Sequence, residues 1–230
     1  MSQMFKSIIQ IIHDKKLKIS SVMEVGGFNV QYSVGCMFAM SYPDVDVAIV
    51  EPQARYAAQL IEALSRIGSI NNSIVYPLAV SREEGAVHFM IPKHEGDGQS
   101  SAYVKGNKCS YLHRGKFSER DTTEILVPAC RFCRIDDGKI DILLIDVEGS
   151  EWDVIQDIKS RPALIIVELY CSPPKEFINA NFDKIIEWMK TNGYSTVKIE
   201  EPDLYFLKNE YVEPEEIIDV YAYVDSTRQG

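Results

Sequence analysis

The sequence predicts an α/β fold: a single doubly wound, mostly parallel sheet with helices on both faces and an antiparallel C-terminal strand. Three observations predict it. Short aliphatic runs of strand length alternate with longer stretches of helical periodicity, the pattern of βα units. The run Ile142-Leu143-Leu144-Ile145 places four aliphatics in succession, which need burial on both faces, as in a central parallel strand. Glycines and carboxylates stand where several of these runs stop, and an open α/β sheet binds its ligands outside the carboxyl ends of its strands.

The elements follow in order. Phe5 to Leu17 sets Ile8, Ile9, Ile11 and Ile12 among lysines, so residues 1–20 read as an amphipathic N-terminal helix packed on the domain. Ser21 to Gly26 is the first strand, and a helical stretch follows Gly26-Gly27 through Met40. Val45 to Val50 is the second strand, ending at Glu51-Pro52, and a helix from Gln53 to Ile67 stops at Gly68. Ser73 to Val80 reads as a third strand, and Ala86 to Ile91 as an added one, a candidate for hairpin pairing. Residues 92–122 are polar, rich in Gly, Ser, Lys and His, and poorly periodic, which marks a variable loop that is either functional or disordered. Glu124 to Val127 resumes the strand pattern. The central run then leads into a helix over Glu151 to Ile155, with Ser150 placed to cap it. Ala163 to Glu168 is another buried strand, and Phe182 to Met189 a helix that ends near Gly193. Thr196 to Ile199 and Leu204 to Leu207 are two final strands around Glu201-Pro202, and Pro214 to Val220 a short terminal helix. With no repeat and no linker, residues 1–230 read as one domain.

Composition narrows the function. The 230 residues are 46% hydrophobic and 25% charged, ordinary for a soluble globular chain. A net charge of -10 argues against a nucleic-acid partner, whose phosphates demand clustered Lys and Arg. The one basic concentration, Lys105, Lys108, Arg114, Lys116 and Arg120, falls in the variable loop. No apolar run approaches the ~20 residues that span a bilayer, so no membrane role is expected. The five cysteines are odd in number and lack framework spacing, which predicts reduced thiols in a cytoplasmic protein. Cys130-Arg131-Phe132-Cys133 has the spacing of a redox or zinc site but lacks a second pair of ligands.

The chemistry centres on the residues after the central run. Asp146 and Glu148 follow it and are candidate catalytic residues, with Gly149 permitting a sharp turn. One residue apart on an extended chain, the two side chains point to opposite faces unless the chain turns first. The competing reading makes Asp146 a turn cap and leaves Glu148 solvated. Glu24-Val25-Gly26-Gly27 ends the first strand and Glu51 ends the second. Glycines allow close backbone approach to a ligand, and an acid at the end of the next strand accepts hydrogen bonds from ribose hydroxyls. The G-x-G-x-x-G fingerprint is missing, so a dinucleotide is poorly supported. A nucleoside cofactor without a pyrophosphate, such as S-adenosylmethionine, needs less of a phosphate cradle.

Ile145 to Glu151 spells I-D-V-E-G-x-E, and the chain resembles the FkbM family of S-adenosylmethionine-dependent methyltransferases, which carries that signature. Glu24 to Ser33 partly follows the family's D-V-G-A-N-x-G-x-Y-S loop, with Phe28 in place of the usual Asn and Val30 in place of the later Gly. Ile49-Val50-Glu51-Pro52 is similar to its E-P segment, Leu78-Ala79-Val80-Ser81 with Gly85 to the next element, and Ser100-Ser101 to its Ser pair. The resemblance runs from about Val22 to Glu168.

It implies a Rossmann-like methyltransferase sheet with the cofactor lying across Glu24, Gly26, Gly27, Glu51, Pro52, Ala79, Ser101 and Asp146. It also implies Asp146 beside the transferable methyl and residues 92–122 on the acceptor side. Asp146, Glu148 and His113 are the candidate catalytic groups, and His94 lies in the same loop as a further candidate base. Asp146 and Glu168 end adjacent strands and are candidate ligands of Mg²⁺ or another divalent cation. The expected acceptor is a hydroxyl of a sugar, glycan or glycosylated metabolite. Rivals are N- or O-methylation of another small molecule, and a non-catalytic interaction module favoured by the altered glycine loop. A homodimer or a place in a larger multidomain chain are both compatible with the sequence.

Overall fold

Alternation along the central strands decides which helices pack where. The computed structural model describes residues 2–93, 102–106, 122–169 and 179–227. Its main sheet has seven strands: β1 (Ser21–Val25), β2 (Asp46–Val50), β3 (Ser73–Tyr76), β8 (Ile142–Ile145), β9 (Leu164–Glu168), β10 (Tyr194–Glu200) and β11 (Asp203–Lys208). They lie in the order β10-β11-β9-β8-β1-β2-β3. Only β11 runs against its neighbours, pairing antiparallel with both β9 and β10, as the predicted antiparallel C-terminal strand requires.

In β8, Ile142 and Leu144 face one side of the sheet and Leu143 and Ile145 the other, and all four are buried. The first side is covered by α1 (Gln3–Asp14), α2 (Val34–Ser41) and α3 (Ala54–Arg66) through Phe5, Ile8, Phe38, Leu60 and Leu64. The second is covered by α4 (Glu151–Ile155), α5 (Phe182–Thr191) and α6 (Val220–Thr227) through Val154, Ile155, Ile185, Ile186, Met189 and Val224. Each such side chain withdrawn from water contributes about 1.5–3 kcal/mol before the entropy of ordering it is counted. A strand that must satisfy two helical layers has no polar face. That is why the central run is uninterrupted.

A second sheet was not foreseen. The predicted third strand breaks at Pro77: β3 stays in the main sheet, while β4 (Ala79–Val80) leaves it and pairs with β7 (Thr122–Cys130). The added strand, β5 (Gly85–Pro92), pairs antiparallel with β7 and with β6 (Tyr103–Val104). Residues 92–122 are therefore not wholly a loop, since β6 lies within them. Proline at 77 has no amide to donate, which favours the break. The terminal helix also differs from expectation: Pro214–Glu216 forms a single 3₁₀ turn and α6 begins only at Val220. No helix among the described residues is long and apolar enough to cross a membrane.

Candidate active site

The chain runs outward from β1 to β2 and β3, then returns to β8 on the other side of β1. The carboxyl ends of β1 and β8 thus flank the switch point of the sheet, where such folds hold ligands. Register aligns Val25 with Ile145, so the residues following them, Gly26 and Asp146, meet. Gly26 has φ +99°, and a Cβ there would stand 1.7 Å from the Asp146 carbonyl oxygen. At Gly27 a Cβ would stand 2.2 Å from Ile49 Cγ2. Both amides donate to the Val50 carbonyl, at 2.9 and 3.1 Å. These glycines are required by contacts within the chain itself. The close approach they permit is first of all that of the β1 loop to β8 and β2.

Two buried acids hold this loop. Glu24 accepts from Ser33 Oγ at 2.5 Å and from the amides of Val34 at 2.8 Å and Gly35 at 3.1 Å, pinning the start of α2. Burial pushes its carboxyl up to about 7, against the pull of those donors. Glu51 accepts from the Phe28 amide at 2.8 Å and the Gln53 amide at 2.7 Å, and burial pushes it up to about 8. Phe28, where the resemblance expects Asn, has φ +45°, a region Asn tolerates better than a bulky side chain. Its ring packs edge-on against Tyr56 at 4.6 Å and stacks with Tyr32 at 6.3 Å. Aromatic contact stands where the smaller residue would have relieved the backbone.

Past β8 the chain turns at once. Glu148 has φ +47° and Gly149 φ +101°, so simple strand alternation does not apply. Instead of facing opposite ways, Asp146 and Glu148 converge with Glu168, each offering an oxygen within 4.8 Å of the others. Asp146 and Glu168 share a hydrogen bond. Burial, then the charges of Asp146 and Glu148, raise Glu168 well above its ordinary value, and the shared hydrogen bond favours its protonated form. Asp146 is open to solvent on one side yet surrounded by protein on the others, and desolvation raises it too. The last acid of the signature has a different task. Glu151 is buried and accepts from the Gly149 amide at 2.7 Å and Asn179 Nδ2 at 2.8 Å, fixing the turn. Ser150 is the N-cap residue of α4, but its side chain makes no capping bond there.

Above this edge lies a cavity of about 660 Å³, a size suited to a small-molecule ligand. Glu24, Gly26, Gly27, Glu51, Pro52, Ala79, Asp146 and Glu148 all line it. Glu168 joins through its contact with Asp146. Ser101 and His113, with His94, Ser100, Tyr111 and Tyr170, lie outside the described residues. Trp152 packs partly buried against the core, His13 is exposed beside Asp14, and exposed His88 pairs with Glu124. Cys130 and Cys133 are free thiols.

Three contributions to the cavity were missed. Met4 comes from α1, and Phe89 and Val104 come from the second sheet, with Ala102 just before β6. Asp203, the first residue of β11, is the third. Because β11 is antiparallel, its first residue lies at the carboxyl edge of the parallel strands, in register with Glu168. The prediction of an antiparallel last strand contained that signal.

Residues 38–196 match the family described as the Methyltransferase FkbM domain. No curated protein matches the sequence. Among solved structures, a putative caffeoyl-CoA O-methyltransferase from Staphylococcus aureus is similar at 13% identity and a TM-score of 0.52, over 90% of this chain and 84% of that one. The StiE O-MT segment, residues 961–1257, is similar at 8% identity and a TM-score of 0.52, over 99% of this chain and 80% of that one. These likenesses speak to the fold, and the family match spans more than half of the chain. With the acidic turn after β8 and the glycine loop meeting at one cavity, the chain belongs to the FkbM family and is an S-adenosylmethionine-dependent methyltransferase.

Proposed function

We propose that the protein transfers a methyl group to a hydroxyl of a sugar, glycan or glycosylated metabolite. The observation that carries the O-methylation reading is Asp146, a carboxyl group that lines the cavity and is hydrogen-bonded to Glu168. The cavity fits the cofactor in its chemistry. Glu51 and Pro52 offer a site for the ribose side, the Gly26-Gly27 loop a backbone wall, and the acids a surround for positive charge. S-adenosylmethionine, when bound, supplies an electrophilic methyl on a sulfonium. The chain then aligns an acceptor oxygen and receives its proton. Asp146 is placed to take that proton, with its basicity increased by desolvation. Glu168 keeps Asp146 oriented through their shared hydrogen bond. The sugar assignment is supported by the family resemblance and by the open tyrosine side chain of Tyr32 at the cavity, a surface on which a sugar ring can stack.

A second reading has its own observation. Asp146, Glu148 and Glu168 place three carboxylate oxygens within 4.8 Å of one another, a donor set suited to Mg²⁺ or Mn²⁺. A cation held there would lower the pKa of an acceptor hydroxyl.

Calorimetry with S-adenosylmethionine and S-adenosylhomocysteine tests the cofactor site: micromolar binding is expected, and no binding at millimolar ligand removes the reading. Asp146→Asn is expected to lower kcat by about 10²-fold or more with cofactor affinity largely kept. A variant with normal kcat would show that Asp146 is not the base. Stripping with EDTA separates the metal reading: activity lost and restored by Mg²⁺ supports it, and unchanged activity ends it.

A further inference from the structure

The turn after β8 forms part of the cavity wall: Asp146, Val147, Glu148 and Ser150 all line it. It keeps that shape against local preference. Glu148 stands at φ +47°, a region that a long side chain rarely adopts and that persists only where the surroundings over-determine it. A buried carboxyl supplies the restraint. One oxygen of Glu151 accepts from the Gly149 amide at 2.7 Å and the other from Asn179 Nδ2 at 2.8 Å. Asn179 stands 28 residues further along the chain, where it also opens α5. Its side-chain oxygen accepts from the Asn181 amide at 2.8 Å, and its carbonyl from the Phe182 amide at 3.0 Å. Helix α5 is itself anchored in the core by Phe182, Ile185 and Ile186. The Asn179 side chain therefore joins two elements, its donor committed to the acidic turn and its acceptor to α5.

We propose that Asn179 is a positioning residue, which through Glu151 holds the turn after β8 in the shape that binds the cofactor. The inference rests on the reading that this cavity takes S-adenosylmethionine. Asn179 is not among the described residues that line the cavity, so its effect on the ligand travels through Glu151 and Gly149. A buried carboxyl oxygen deprived of its donor is costly, and the group turns to find another. The contact with Gly149 is then lost, and Glu148 relaxes out of the left-handed region. Asp146, Val147 and Ser150 move with it, because they share the turn.

Calorimetry of the full chain with S-adenosylmethionine tests this, beside urea unfolding of each variant. Asn179→Asp keeps the acceptor for Asn181 but sets a carboxyl against Glu151, and Glu151→Gln brings two amide groups together. Each is expected to weaken binding at least tenfold. The double variant, Glu151→Gln with Asn179→Asp, again places one donor opposite one acceptor at unchanged total charge. It should return the affinity to within threefold of native. Asn179→Ser, too short to reach Glu151 yet able to accept from the Asn181 amide, is a milder break with at least threefold weaker binding. Ser160→Ala is the control for lost stability. Ser160 donates to buried Asp136 and accepts from the Ile140 amide at the opposite end of β8, so this change should lower the urea midpoint and leave affinity unchanged. Hydrogen exchange at the Gly149 amide gives a second readout, at least tenfold faster in Asn179→Asp and native-like in the double variant. Native affinity in the Asn179 variants, or an equal loss in Ser160→Ala, overturns the proposal. A double variant that binds no better than the single ones overturns it as well. If the native chain itself binds no cofactor at millimolar concentration, the cofactor reading fails and takes this inference with it.

Discussion

Asp136 and Asp146 lie on either side of the same strand, yet their surroundings differ. Asp136 is buried and accepts from the amides of Gly138, Lys159 and Ser160 at 2.8, 2.7 and 2.8 Å, and also from the Ser160 hydroxyl. Asp146 receives no amide from a described residue; its carboxyl is hydrogen-bonded to Glu168, with Glu148 also close by. Donors mark an acid that holds the fold together, and their absence marks one kept for a ligand. Glu24 and Glu51 stand between the two kinds, bonded to amides while lining the cavity. Their raised values carry a prediction about pH. Each moves from the ordinary 4.5, Glu24 to about 7 and Glu51 to about 8. The folded state therefore binds more protons than the unfolded chain across that window, and stability falls as pH rises through it. Acids lowered by surface pairing, such as Glu84 with Arg134, exert their effect only below 4.5. Thermal melts of the ligand-free protein should show Tm decreasing from pH 5.5 to pH 8.5. A Tm that rises over this range would contradict it.

At the scale of elements, the site depends on how closely the β1 loop lies against β8. Gly26→Ala must both adopt φ +99° and clear a carbonyl oxygen 1.7 Å from its Cβ. Left-handed strain adds about 1–2 kcal/mol and overpacking about 1–3 kcal/mol. A loss of roughly 3 kcal/mol in urea unfolding is expected, together with loss of cofactor binding, because the loop carries Phe28 and the Glu51 contact. Gly85→Ala is the matched control. That glycine also has positive φ, +107°, but a Cβ there meets nothing within 4 Å. It should lose about 1–2 kcal/mol and keep binding. Equal losses at the two positions would show that strain alone, and not contact with β8, explains Gly26. The element boundaries themselves were largely legible. Strands end where glycine, proline or a carboxylate interrupts an aliphatic run, and α3 stops at Gly68, whose φ is +76°. Among the strands the exceptions were β4 and β6, whose two residues each are too few to show a period.

For the whole molecule, the cavity draws on both sheets and on α1, so a bound cofactor should tie together parts that the sequence separates. Ligand that binds only the folded state stabilises it by mass action, about 2.7 kcal/mol at a hundredfold excess over Kd. Saturating S-adenosylmethionine is thus expected to raise Tm by several degrees, and a Tm unmoved by millimolar cofactor would count against the cavity as its site. The sequence by itself determined the alternation of strands and helices, the two-faced burial of Ile142–Ile145, the antiparallel last strand and the acids at the strand ends. These follow from local periodicity and from side-chain chemistry, which a linear sequence records. Tertiary structure decided the rest. Which acids converge depended on the positive φ of Glu148, on the register of β9 and β11, and on the order of strands around β1. Each of these relates residues far apart in the chain, so periodicity leaves no trace of them. For the same reason Asp203 passed unnoticed: the antiparallel direction of β11 was predicted, but the register that sets Asp203 beside Glu168 was not.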